Sequence, residues 1–423
     1  MTIARRRTKW CALAFGVALG VPTAAHAGGY DTPMLYTARH MGMGGTAIGY
    51  VGDPSSLFHN PAGLGRIDHG EVLGDVSLLV GGIHASPSAI GTDVDSQTTV
   101  APFFLLGAGY RVHKMITLGV AVYPIASAGA TFKYGAGNFE DRTTLLFLEA
   151  SPGIAFNPLP NLRFGVGYRI TYVHLDRYQG DPDPGGMVNH DFKVSGQNFT
   201  GFRVGAQYDP LPWWHFGAVF RNTVNTKVTN THGIALATDY TDISTHFKLP
   251  AKLGFGTRVD FDAFGIPAST AVDFEYDFNS LNKGDPLEGT PAPGSGGVPS
   301  VANLFEWKDS QTLRLGVEYR ILRDRHTHVD RVPLRVGYVY DTRTANPRYP
   351  TAFGTPPGPT QIFTVGTGYN AGIWQANIAY AYRFGHGAVT NPDTKNCAFC
   401  SEAGKDDYSI HLNGIYLDGS FKF

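Results

Sequence analysis

The chain has 423 residues, with 34 basic and 35 acidic side chains and a formal net charge of −1. No basic surplus is present to engage nucleic acid. Beyond the N-terminal segment no run of eighteen apolar residues occurs, which excludes a transmembrane helix.

The first element in chain order is a leader, residues 1–27. Arg5, Arg6, Arg7 and Lys9 form a basic start, Trp10 to Val21 a short apolar core, and Ala25-His26-Ala27 a small-residue cleavage site. The core is too short to span a bilayer. Cys11 opens it with no small-residue box before it, so lipid attachment there is not expected. The mature chain is expected to start near Gly28, with 30 basic against 35 acidic residues.

Residues 28–69 follow neither a strand nor a core-helix pattern. Gly42, Gly44 and Gly45 permit close backbone approach or positive φ. Asp53-Pro54 reads as an N-cap with Pro at the first helical position, opening a turn over Ser55 to Phe58. Asn60-Pro61 repeats the device, with Ala62 to Leu64 as a second turn. Such an insert ahead of a run of amphipathic strands predicts a plug, and a plug implies controlled passage.

From residue 70 to 423 the sequence alternates with period two. Ile415, Leu417, Gly419, Phe421 and Phe423 oppose Tyr416, Asp418, Ser420 and Lys422. Leu313, Leu315, Val317 and Tyr319 oppose Arg314, Gly316, Glu318 and Arg320. Long strands, a charged and small-residue opposite face, and aromatics at strand ends (Tyr110, Tyr168, Tyr319, Tyr369, Phe423) place the apolar face against lipid. The 53 Gly, 27 Phe and 21 Tyr fit the same setting. Fourteen strands are predicted, near 70–83, 99–112, 115–134, 143–157, 161–176, 191–208, 213–229, 243–261, 267–281, 308–322, 331–342, 360–370, 372–385 and 409–423. Tight turns such as Arg111–Lys114 and Asp209–Pro212 alternate with long outer loops. Leu322–Val332 departs from this alternation, because it is long and charged on the inner side. The even count puts both barrel ends in the periplasm.

The Gly42-x-Gly-Gly-x-Ala47 stretch, Asp53 and Asn60-Pro61-Ala62 resemble the N-terminal hatch of the FadL/TodX family of outer-membrane transporters. Gly119 to Pro124, Trp307 to Ser310 with Leu313 to Arg320, and Leu334 to Tyr338 resemble later family segments in the same order. The resemblance implies an all-β, fourteen-stranded antiparallel transmembrane barrel filled by a hatch. It also implies capture of hydrophobic molecules outside and release through a wall gap made by an inward kink of the third strand. Here that strand continues Pro124-Ile125-Ala126-Ser127-Ala128-Gly129, and proline with small residues suits a kink. The third and fourth outer loops, Tyr178–His190 and Asn230–Asp242, read as short and polar, unlike the helix-bearing capture loops of well-known members.

Candidate ligand-lining residues are Met34, Leu35, Met41, Met43, Leu57 and Phe58 from the hatch, with Tyr123, Val339 and one of Phe103 and Phe104 from the wall. Inward parity collects Arg163, Arg169, Arg258, Asp273, Glu275, Asp277, Arg314, Glu318, Arg320, Arg335, Asp341 and Arg383. Mutual pairing is their expected role, with an arginine fork as an alternative seat for a carboxylate. Cys397 and Cys400 are expected to form a local disulfide in the last outer loop. No metal, cofactor or catalytic Ser-His arrangement is expected.

The sequence therefore predicts a monomeric passive transporter in the bacterial outer membrane, bathed in its lipid and lipopolysaccharide. Long-chain fatty acids are the first expected cargo and monoaromatic hydrocarbons the second. A lipid-modifying enzyme and a structural or adhesive barrel are the rivals from other classes.

Overall fold

The computed structural model describes residues 36–86, 93–134, 139–183, 185–323, 330–348, 358–390 and 407–423. The leader, Met34, Leu35, Cys397 and Cys400 lie outside the described residues. So do residues 324–329, at the centre of the long inner connection.

Fourteen antiparallel strands form the wall. They are β1 (Gly70–Ser86), β2 (Thr99–His113), β3 (Ile116–Tyr134), β4 (Phe139–Leu159), β5 (Leu162–Gly180) and β6 (Val188–Leu211). Next come β7 (Trp214–Arg221 and Val224–Asn230), β8 (Thr238–Leu249 and Lys252–Asp260), β9 (Ala268–Asp277) and β10 (Ser310–Arg323). The last are β11 (Asp330–Asp341), β12 (Thr360–Asn370), β13 (Trp374–Ala388) and β14 (Asp407–Lys422). Each pairs with its sequence neighbour, and β1 pairs with β14 from Glu71↔Lys422 to Ser86↔Asp407, closing the barrel. Closure pairs the sheet edges around the barrel, apart from one stretch between β2 and β3.

The alternation holds in three dimensions. Leu313, Leu315, Val317 and Tyr319 are exposed on the outer face, whereas Arg314, Glu318 and Arg320 are buried inside. No helix among the described residues is long and apolar enough to cross a membrane. The crossing belongs to the strands.

Two expectations change. The seventh and eighth strands are each split. Pro250 lacks the N–H that a ladder needs, and the side chain of Asn222 replaces ladder bonds, accepting from Phe202 N at 2.7 Å and donating to Thr200 O at 3.1 Å. The outer loops are also more regular than expected. Gly233–Ala235 folds back on Thr238–Tyr240, and Leu287–Pro291 pairs with β8.

The hatch segment, residues 36–69, lies inside the cylinder. It contains α1 (Ala38–Met41), α2 (Ser56–His59) and a 3-10 turn at Pro61–Arg66. Its core residues Met41, Leu57 and Leu64 are completely buried, packed with Leu105, Tyr123 and Phe147 of the wall.

Candidate functional site: hatch, lumen and wall gap

Each hatch device holds a different part of the wall. Asn60 caps the 3-10 turn by accepting from Ala62 N at 3.2 Å. Its amide also donates to Ile48 O at 2.9 Å and Ala206 O at 3.1 Å, tying hatch to β6. Asp53 acts one step earlier than expected. Ser55, not Asp53, is the N-cap position of α2, and Asp53 makes a turn by accepting from Ser55 N at 2.9 Å. Asp53 also lies 3.7 Å from His40 Nε2. Burial favours its neutral form, but the His40 contact, Arg39 and Ser55 outweigh burial and hold its carboxyl below the usual range.

Gly44 takes φ +69°, and a Cβ there would lie 2.7 Å from Leu315 O, so a side chain would push the hatch off the wall. Ala47 N and Ile48 N donate to Asp273 at 2.7 and 2.8 Å. Arg39 N donates to Asp418 at 2.8 Å. On the periplasmic side Tyr50 lies between Arg66 at 4.2 Å and Arg258 at 4.9 Å, and Arg66 reaches Asp209 at 2.6 Å. The hatch is thus fastened around the barrel's circumference.

The expected lumenal charges are inside and most are paired. Arg169 meets Glu149 at 2.6 Å with both side chains fully buried, Arg314 meets Glu275 at 2.9 Å, and Arg335 meets Glu318 at 2.7 Å. Leaving any one unpartnered at such depth would be costly.

Tyr123 and Val339 face inward and are completely buried. Phe103 is inward, but Phe104 is 36% exposed on the outer face and does not line the lumen, because period-two alternation sends adjacent residues to opposite sides. Leu57 is buried, and Phe58 packs edge-on to Tyr36 and Tyr123, 5.1 Å from each.

The wall is interrupted at β3. The β2–β3 ladder runs from His113↔Ile116 up to Leu106↔Val122 and stops. Contact resumes near the outer rim, where Ser96 bridges Phe132 and Gln97 N donates to Thr131 O at 2.7 Å. Between these points β3 keeps its pairing to β4, with Ile125 bulged between Pro124↔Leu148 and Ala126↔Phe147. Ser127, Ala128 and Gly129 continue on that ladder. Pro102 sits on the facing stretch of β2, so a proline lies on each side of the interruption.

Tyr36 occupies the inner side of this gap. Its hydroxyl donates to Pro124 O at 2.6 Å, and its ring lies 6.4 Å from Phe103 and 6.3 Å from Tyr123. Beside it is a narrow chamber lined by Phe58, His59, Ile125 and Val219 with Arg203, Arg221, Lys252 and Arg314 against Asp273 and Glu275. Above it the interior is apolar, with Phe147, Val173, Val194, Val228, Ile243 and Phe247 buried.

Sequence reasoning missed Tyr36, Glu149, Arg203, Arg221 and Lys252. Inward parity on β6 and β7 was a usable signal: Arg203 lies between Phe202 and Val204, and Arg221 follows Phe220. For Tyr36 no signal existed, because its role depends on which wall residues it meets.

A closed antiparallel barrel with lipid-facing apolar side chains, filled by its own N-terminal segment, defines an outer-membrane transport barrel. The chain belongs to the outer membrane protein transport protein family (OMPP1/FadL/TodX), whose model matches residues 19–411. Members carry hydrophobic compounds across the outer membrane.

Among solved structures, a Pseudomonas aeruginosa FadL homologue is similar with TM-score 0.72 and 13% identity, over 95% of this chain and 100% of that one. The P. putida toluene transporter TodX gives TM-score 0.67 and 18% identity, over 93% and 99%. The Ralstonia pickettii toluene transporter TbuX gives 0.66 and 16%, over 93% and 99%. At these identities the likeness is one of fold. No curated protein sequence matches the chain.

Proposed function

We propose that this transporter admits long-chain fatty acids by diffusion, holds them against the hatch, and releases them sideways through the gap between β2 and β3. The observation that carries this reading is the position of Ile125. It is the bulged residue at the foot of the gap and also lines the chamber. A molecule in the chamber is therefore already at the wall opening.

The chemistry of the path suits an acid with an apolar tail. The upper interior offers aliphatic and aromatic side chains. The chamber below is lined by four cationic side chains and two carboxylates, with Glu149 and Asp277 pairing with Arg203 and Lys252 from behind the lining, and guanidinium donors suit a carboxylate. In this reading Gly42, Gly44, Gly45, Asp53, Asn60, Pro61 and Ala62 hold the hatch. Pro124, Ala126, Ser127, Ala128 and Gly129 shape the opening, and Leu57, Phe58, Phe103, Tyr123 and Val339 border the path.

Neutralising the chamber with Arg221→Gln and Lys252→Gln tests the cargo. Oleate affinity of the purified barrel should fall about tenfold or more, while toluene uptake by cells stays at the wild-type level. Unchanged oleate binding would remove the carboxylate seat. The runner-up, monoaromatic hydrocarbons, is favoured by the matched toluene transporters. It would be supported if toluene uptake proved efficient and oleate did not bind.

A further inference from the structure

Outside the lumen, one stretch of wall departs from the apolar outer face. On the lower parts of β5 to β8 the exposed side chains are apolar, including Phe164, Val166, Tyr168, Phe202, Val204 and Phe255. Above the breaks at Asn222 and Pro250 the alternation persists. Val173, Val194, Val228 and Phe247 are buried inside, and the residues between them point outward. Those outward residues are polar. His174, Ser195, Thr229 and Ser244 form one register row across four strands, through His174↔Ser195, Ser195↔Thr229 and Thr229↔Ser244. Lys227 pairs in register with His246 on the side of the row nearer the apolar band. Lys193 lies nearer the rim, 3.1 Å from Asp176.

The height of this row is set by the strands. About ten tilted residues cross the apolar band of an outer-membrane barrel. Counting about ten residues from Trp214 at the periplasmic hairpin reaches Thr223, four residues below Lys227. The row therefore sits at the level of the outer-leaflet head groups. The feature is local to one side. On β12 to β14 the outward upper surface carries stacked rings instead, with Phe363–Phe384 at 6.1 Å, Tyr382–Phe384 at 5.7 Å and Tyr382–His411 at 6.3 Å.

We propose that this row is a seat for the phosphorylated head group of an outer-leaflet glycolipid. The ammonium groups of Lys193 and Lys227 face phosphate oxygens. The hydroxyls of Ser195, Thr229 and Ser244 and the rings of His174 and His246 hydrogen-bond phosphate or sugar. The acids nearby are Asp176, shared between Lys193 and Arg142 at 3.5 Å, Asp191 closer to the rim, Asp242 two residues before Ser244, and Glu288, the register partner of Ser244. Glu288 ends the row on the side away from Lys193. The seat lies on the opposite face of the wall from the cargo path.

The test uses the purified full-length barrel in detergent, with bisphosphorylated lipid A as the probe and binding read by native mass spectrometry. Lys193→Gln with Lys227→Gln should reduce binding about tenfold or more. Lys193→Arg with Lys227→Arg should retain it, and Lys114→Gln with Lys422→Gln at the inner rim should leave it unchanged. Thr229→Asp places a negative charge at the centre of the row and should also abolish retention, independently of the lysines. Equal binding by the glutamine pair, or equal binding of dephosphorylated lipid A, overturns the proposal. Displacement of lipid A by an equal concentration of inorganic phosphate overturns it too, since that would mark an anion site and not a lipid seat.

Discussion

Asn60 shows how one side chain joins local and tertiary structure. The same amide caps a short turn and reaches backbone carbonyls of the hatch and wall. Asn60→Ala leaves Ile48 O and Ala206 O without this donor in a dry interior, a cost of about 2 kcal/mol. Amide exchange at Ile48 and Ala62 should rise roughly thirtyfold, with the barrel's melting behaviour unchanged. Exchange equal to wild type would show that other contacts alone hold the hatch. His59 makes a second prediction at this scale. Burial, reinforced by the nearby His40, pushes its imidazole from 6.5 down to about 3. Below pH 6.5 the undocked hatch takes up a proton that the docked hatch refuses until about pH 3, so docking weakens as pH falls through that window. Limited proteolysis of the hatch at pH 7 and pH 4 checks this; His59→Gln should flatten the difference.

At the scale of elements, β3 is governed by what it does not pair with. Proline on each facing segment removes ladder donors, and the bulge at Ile125 lets β3 follow β4 while leaving β2. Proline followed by small residues is visible in the sequence, which is why a kink near Pro124 was an expectation. The interruption's extent was not visible. It depends on where Ser96 and Phe132 meet, and on Tyr36 arriving from far earlier in the chain. The splits in β7 and β8 have the same character. Pro250 was a readable breaker, whereas the use of Asn222 as a substitute rung required its neighbour Phe202 in place. If release passes through the gap, Ser127→Trp should slow uptake of labelled oleate several-fold and leave binding to the purified barrel intact. Uptake at the wild-type rate would place the exit elsewhere.

The whole molecule is closed by its ends. Gly70 and Phe423 exchange backbone hydrogen bonds at 3.0 Å in both directions, where β1 meets β14. Removing Phe423 deletes that rung and an exposed terminal aromatic at the inner interface. The variant should give a reduced fraction of heat-modifiable, folded barrel on semi-native gels. Wild-type assembly would mean that the remaining seam suffices.

Sequence alone determined the barrel, its strand count, the side facing lipid and the presence of an internal plug. These follow from period-two alternation, turn residues and capping signals, all of which act between neighbours in the chain. It also placed most lumenal charges, since parity decides inside from outside. Only the tertiary structure decided which charges pair, that Phe103 and not Phe104 faces in, that Tyr36 fills the gap, and that Arg203, Arg221 and Lys252 share one chamber. Those outcomes depend on register and closure, which bring together residues tens of positions apart, and no local pattern encodes the distance between two such side chains.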